Sequence, residues 1–433
     1  MESLFSITPT NTLHEHTTTL IVAIDIGGYE HHARAFDWRG IEQQKKAFKF
    51  KNDRYGFESF LSWIERIQWM SGFTEVMVGL EPTGHYWFAL FDYLLSRNLR
   101  LVITSPISVK QTKEAATTSA SKSDPEDPKA IAHVMISGNY QEIYRPQGNY
   151  AELRKAYTLR NSVMEQKKAT ANRIHAWAST YFPEWHKVYS SVQRIGFLTL
   201  LRRAPLPSDI VKLGVHGILH HWHECQLLGG ISRNRAERLV EEAKRSVGVT
   251  EASEMARVEI QMLLQHYDLQ EAQLTRLDKR LEELVEQYPG GKRLMQIPGI
   301  DLQIAAGFLA EVGDIRRFPS AAQLQSYAGL DILRNSSGKR RGQSRISKRG
   351  RNKLRRIMFV AALCVVNHTS EFRAVHQYYK HRTKNPLKAM QSLIAVACKL
   401  LRVFHVMLTK DVDYDPDKVT CGLVVKSSEK QVA

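Results

Sequence analysis

"TTTLIVAIDIGG", residues 17–28, is aliphatic and β-branched from Leu20 to Ile24, closes on one aspartate and exits through two glycines. An uninterrupted apolar run of that length predicts a strand buried on both faces, and the glycine pair predicts a sharp turn out of it. Asp25 stands where the run ends. Acidic residues rarely sit at the ends of buried strands for the sake of stability. Downstream, "HHARAFDW" and "KKAFKFKN" alternate as two half-buried strands, and "FESFLSWIERIQWM" has the spacing of an amphipathic helix. "EVMVGLEPTG" is a second buried strand, stopped by Pro82 and Gly84 and carrying Glu81 at its end. A helix, "HYWFALFDYLLSRN", and a strand, "LRLVITS", follow. Three strands, helix, strand, helix, strand predicts a mixed α/β sheet that opens with consecutive hairpin strands. An aspartate on the first strand is the usual opening of an RNase H-like nuclease sheet.

The chain has 433 residues and a formal net charge of +17. That charge is clustered: eleven of the 23 residues from Arg334 to Arg356 are Lys or Arg and none is acidic. Clustering of this kind favours a nucleic acid partner over a generic solvated face. The four cysteines, Cys225, Cys364, Cys398 and Cys421, form no CxxC pair, which suits a reducing cytoplasm; the expected location is the cytoplasm of a bacterium, with the nucleoid. The N-terminus lacks the pattern of a signal peptide. The longest apolar run, Ile357 to Val366, is too short to span a bilayer, so no membrane association is expected. No GxxxxGK[ST] motif is present, which argues against ATP use. His216 and His220 have helical zinc-pair spacing, but no second ligand pair follows, and surface or core histidines are the better reading.

"KSDPEDPKAIAHVM" adds Asp124, Glu126 and Asp127 just before a predicted helix. Carboxylates gathered together repel unless a cation neutralises them, and hard oxygen ligands suit Mg²⁺ or Mn²⁺. Two such ions can clamp a phosphodiester. Structural roles remain open for each: Asp127 before Pro128 makes a helix N-cap, Asp124 could cap a turn, and Glu81-Pro82 could be a plain strand exit. Taken together along an α/β pattern in a basic protein, a metal site among Asp25, Glu81, Asp124, Glu126 and Asp127 is favoured over separate structural roles.

Beyond the sheet the chain becomes helical and highly charged. Leu274, Leu277, Leu281, Leu284 and Tyr288 alternate spacings of three and four, a coiled-coil seam that could equally pack on its own domain. Residues 190–250 show no clear repeat. The expected organisation is a loose arm (1–16), an α/β RNase H-like domain (17–149), a helical, coiled-coil linker (150–291), a mainly α C-terminal domain (292–409) and a tail (410–433). In that C-terminal domain, a helix–turn–helix around "IPGID" places Asp301 where a phosphate-binding turn would have glycine, so packing is expected there. Two apolar helices should form the core beneath the basic loop.

"AIDIG", "LEPTG" and "KSDPEDPKAIA" resemble the three acidic segments of the DEDD-type insertion-sequence transposases, a class that includes the Piv-related DNA invertases. "LMQIPGIDLQIAAGFLAEVGDIRRFPSAAQLQSYAGL" and "ISKRGRNKLR" are similar to that family's C-terminal blocks. The resemblance implies a RuvC-like N-terminal domain with Asp25, Glu81, Asp124 and Asp127 as Mg²⁺ ligands. It implies a serine nucleophile at Ser337, with Ser336 beside it as the alternative. It further implies a covalent serine–DNA intermediate, a structured non-coding RNA as guide, and dimers pairing into tetramers. Lys339, Arg340, Arg341, Arg345, Lys348, Arg349, Arg351 and Lys353 are the candidate nucleic-acid-binding cations. They would hold the phosphate, since a serine hydroxyl is a poor nucleophile without help. The competing readings are a metal-only nuclease, such as a junction resolvase, and a non-catalytic nucleic-acid-binding scaffold.

Overall fold

A computed structural model describes residues 18–420, apart from 83, 117–126, 143, 145, 228, 230, 334–335, 338–339 and 342–344. The chain divides into two compact units, Met1–Arg145 and Pro146–Ala433.

The first unit is a mixed sheet. Its strands are β1 (Thr19–Asp25), β2 (Glu30–Phe36), β3 (Phe48–Lys51), β4 (Glu75–Leu80), β5 (Arg100–Thr104) and β6 (Tyr140–Glu142), in spatial order β3-β2-β1-β4-β5-β6. β1 runs antiparallel to β2 and parallel to β4, and β4 runs parallel to β5. Alternation along β1 explains its uninterrupted apolar run. Leu20, Val22 and Ile24 enter one core with α1 (Arg54–Ser71) and α2 (Phe88–Leu95). Ile21 and Ala23 enter a second core with α3 (Pro106–Ala116) and α4 (Asp127–Ile136). Both faces are therefore covered, as the sequence pattern required. The expected strand–helix order holds; α3 and the antiparallel edge strand β6 were not foreseen.

The second unit is helical: α5 (Asn149–Tyr181), α6 (Ile195–Arg203), α7 (Pro207–Glu224), α8 (Arg233–Lys244), α9 (Ser253–Glu286), α10 (Pro289–Leu294), α11 (Leu302–Val312) and α12 (Ala321–Tyr327). Then come the short strands β7 (Ile332–Leu333), β8 (Ser336–Ser337), β9 (Arg340–Arg341) and β10 (Arg345–Ile346), followed by α13 (Asn352–His368), α14 (Ser370–His381) and α15 (Ala389–Lys410). The long helices α5 and α9 pair antiparallel. Asn149 Nδ2 donates to Gln287 Oε1 at 2.8 Å, Arg160 pairs with Asp278 at 2.6 Å, Lys167 with Glu271 at 3.3 Å, and Trp177 Nε1 donates to the Ala256 carbonyl at 3.0 Å. The heptad seam of α9 is spent inside the chain: Leu281, Leu284 and Val285 pack with Leu153 and the C-terminal helices.

Residues 190–250, illegible in sequence, have a core of their own. Trp177, Trp185 and Trp222 pack there with residues of α6, α8 and α9. The absence of one period has a structural cause, since these helices are short and α7 is interrupted by a non-helical Gly214. The first residues of the expected tail are not loose: Val419 is buried in the C-terminal core, Tyr414 hydrogen-bonds Glu371, and Arg293 pairs with Asp411 and Asp413. Their acidic side chains answer Arg293, and their apolar ones complete the core. α15, not the run from Ile357, is the one helix among the described residues long and apolar enough to cross a bilayer. Its Val396, Leu400, Leu401 and Phe404 are instead buried in the C-terminal core.

Candidate functional site

In the N-terminal unit, the register of β1 on β4 ends at Ile24 opposite Leu80. One step further, Asp25 and Glu81 leave neighbouring parallel strands side by side, both part-buried. Strand alternation sets their direction. Ile21 and Ala23 face α4, so Asp25 does too; Gly79 faces Met135 of α4, so Glu81 follows. The far end of α4 lies by Gly40, where His133 and Ile136 approach, beyond the Phe36 end of β2. α4 therefore runs antiparallel to β1, and its first residue, Asp127, points toward the Asp25 end of the sheet. Asp127 is paired with Lys113 of α3 at 2.8 Å. Asp124 and Glu126 lie outside the described residues. Among the described residues, no three His, Cys, Asp or Glu side chains converge closely enough to hold a metal ion. What the sheet does bring together is the Asp25–Glu81 pair, on the side that α4 covers.

The loop after β1 is fastened by residues that motif reading did not reveal. A Cβ on Gly27 would stand 2.2 Å from the Glu30 carbonyl, so only glycine fits this turn. Gly27 N–H donates to His31 Nδ1 at 3.3 Å. His31 is fully buried between Phe50 and Phe57, and burial pushes its pKa below the ordinary value. Asn52 Nδ2 donates to the carbonyls of Gly28 (3.3 Å) and Tyr86 (3.2 Å), while Asn52 N–H donates to the Tyr29 carbonyl at 2.8 Å. One asparagine thus ties the loop after β1 to the loop after β4. The clue in sequence was only that both loops begin at an acidic residue.

In the second unit the basic segment is a β-hairpin, where sequence reading gave a loop. Ile332 pairs with Ile346, Leu333 with Arg345, Ser336 with Arg341 and Ser337 with Arg340. Ser336 and Ser337 therefore share one short strand opposite two arginines. Lys339 lies outside the described residues. Arg345, Lys348, Arg349 and Lys353 are exposed. Arg351 serves the fold as well: its Nη2 lies 3.0 Å from Oε2 of Glu311, a carboxylate buried in α11. Arg355, two turns of chain away from the strands, donates to the Ala328 carbonyl at 3.0 Å. Together with the bonds from Ser347 N–H to Asp331 O (2.7 Å) and from Arg351 N–H to Tyr327 O (2.7 Å), these contacts root the hairpin on the helical core. Asp301 caps α11, accepting from Ile304 N–H at 2.9 Å, a capping role where packing was expected.

Comparison with known proteins matches both regions. Residues 22–183 match a family model for DEDD transposases of the IS110 type, and residues 291–377 match the Transposase IS116/IS110/IS902 family. Three relatives illustrate the likeness. The 43.6 kDa protein of insertion element IS110 from Streptomyces coelicolor is 25% identical over 57% of this chain and 60% of its own length. The mini-circle protein of IS117 from the same organism is 24% identical over 75% of this chain and 79% of its own length. The pilin gene-inverting protein of Moraxella bovis is 29% identical over 33% of this chain and 45% of its own length. With the two family matches spanning the acidic sheet, the hairpin and more than half of the sequence, the chain belongs to the IS110-type DEDD transposases.

Proposed function

We propose that this protein is a DNA transposase that cleaves and rejoins the ends of an insertion sequence through a serine–DNA intermediate. The observation that carries the reading is the pair Asp25 and Glu81, side by side at the ends of parallel strands and facing the helix that Asp127 opens. Their hard oxygen donors suit Mg²⁺ or Mn²⁺. Asp25, Glu81, Asp124 and Asp127 would hold the ion, with Lys113 giving up its pairing to Asp127. Bound there, the metal would neutralise charge on the phosphate oxygens.

Ser337 is the nucleophile in this reading, with Ser336 the alternative. Its hydroxyl gives up a proton as Oγ forms a bond to phosphorus, the phosphodiester P–O bond breaks, and the leaving strand's oxygen takes up a proton. Arg340, Arg341, Arg345, Lys348 and Arg349 draw the phosphate in, and their charge favours the pentavalent transition state. A structured non-coding RNA, an equally anionic partner, selects the DNA. The protein acts as a dimer that pairs into tetramers. An exposed apolar stripe on α9, Met255, Val258, Met262 and Leu269, supports self-association.

The test is a covalent adduct between protein and DNA that survives denaturation. Adduct should form with the unaltered protein in Mg²⁺ and vanish in Ser337→Ala. Asp25→Asn should abolish strand cleavage. Full recombination in both Ser337→Ala and Ser336→Ala would leave the metal-only nuclease as the mechanism.

A further inference from the structure

The loops that leave Asp25 and Glu81 each carry an exposed aromatic ring. Tyr29 is 92% exposed and Tyr86 is 44% exposed. They are not independent decorations. Asn52 holds the backbone of Gly28, Tyr29 and Tyr86 together, and a Cβ on Gly28 would stand only 3.4 Å from the Tyr86 ring. The Tyr86 ring thus stands against the Gly28 backbone, with the His85 ring tilted beside it, centroids 4.5 Å apart. Beside it opens a cleft of about 360 Å³ lined by Gly28, Tyr29, Glu30, Lys51, Asn52 and Asp53; Glu30 is paired with Lys49 and Asp53 caps α1, so both carboxylates are engaged and Lys51 is the lining cation. An aromatic face held rigid by a polar bridge, next to a lysine, is the combination that stacks unpaired bases and draws in the strand that carries them. Both loops begin at these carboxylates, so a strand bound at Asp25 and Glu81 would come within reach of this ring.

We infer that Tyr86, with Tyr29 on the neighbouring loop, stacks an unpaired nucleobase of the substrate DNA and so positions the strand at the acidic end of the sheet. This rests on the reading of the chain as a DNA-cleaving transposase. Tyr86 is a positioning residue: it acts through the placement of the phosphodiester, not on the reacting atoms. DNA is favoured over RNA because the ring stands on the loops that the carboxylates begin.

The experiment reads stacking without strand breakage. Full-length protein carrying Asp25→Asn is titrated with single-stranded DNA containing 2-aminopurine, and fluorescence quenching and affinity are followed. Quenching is expected in this background and in Tyr86→Phe, which keeps the ring. It should be lost in Tyr86→Ala and in Tyr86→Leu, with affinity weakened about tenfold, the scale of one lost stacking contact. Tyr86→Leu keeps bulk over Gly28, so a loss there reports the missing aromatic face, not a collapsed loop. Unchanged quenching in Tyr86→Leu overturns the inference, as does a loss in Tyr86→Phe. Quenching by an RNA strand of the same sequence, with none by DNA, also overturns it. Should the unaltered protein break no DNA while quenching still follows Tyr86, the functional reading fails and the stacking site stands.

Discussion

At the scale of single residues, His31 shows how the site is held by groups with no chemical role. Its ring is buried, its Nδ1 fixes the Gly27 turn, and burial lowers its pKa from the ordinary 6.5. As pH falls below about 6.5, the unfolded chain takes up a proton at this position before the folded one does. The neutral ring therefore favours the folded state fully above that pH, and the contribution is lost progressively below it. Denaturant melts at pH 7.5 and 5.5 should show a loss of stability on acidification that is smaller in His31→Phe. No sequence signal announced His31, because one histidine in "HHARAF" looks like another until burial separates them. Asp25 and Glu81 were legible, because a carboxylate ending an apolar strand contradicts the pattern around it. Arg351 was legible only in part: its charge marked it as a nucleic-acid contact, whereas its partner, Glu311, lies 40 residues away in sequence.

At the scale of elements, β1, β4 and α1 could be read because their burial patterns are simple. The hairpin of β7 to β10 could not, since its strands are two residues each and their composition is that of a basic loop. α6 to α8 failed for a different reason: their apolar residues converge on a core from separate helices, one of them broken at Gly214, so no single period survives. The seating of α4 on the sheet offers a direct test. Gly79 leaves room for Met135, and a Cβ there would approach its sulfur to 2.3 Å. Gly79→Ala should lift α4 from β4, lower stability by about 1–3 kcal/mol as overpacking does, and reduce strand cleavage through the displaced Asp127. Met135→Ala added to the same chain should restore part of both losses, an interaction that a double-mutant cycle measures.

At the scale of the whole molecule, α9 carries an exposed apolar stripe. Met262 and Leu269 are each more than half exposed, seven residues apart, on the side of the helix away from the buried Leu263, Leu264 and Tyr267. Met262→Glu with Leu269→Glu should shift the protein toward monomers in sedimentation velocity while leaving its melting temperature nearly unchanged, because neither side chain supports the core. The sequence displayed a heptad on α9, but periodicity alone could not tell a face that packs on α5 from one turned to solvent. α9 has both, and only the position of α5 decides which is which.

The α5–α9 pair also has a mechanical meaning. The helices are 33 and 34 residues long, so each measures about 50 Å at 1.5 Å per residue. One end of the pair is built into the tryptophan-rich core of α6 to α8, the other into the core that carries the hairpin. Two ion pairs, Arg160 with Asp278 and Lys167 with Glu271, tie the two rods at different heights, so they resist sliding past one another. The pair is a strut of set length, and its length is written in residue number. Cutting seven residues from both rods would draw the two ends together by about 10 Å with every packed face still aligned. Cutting them from one rod alone would bend the strut.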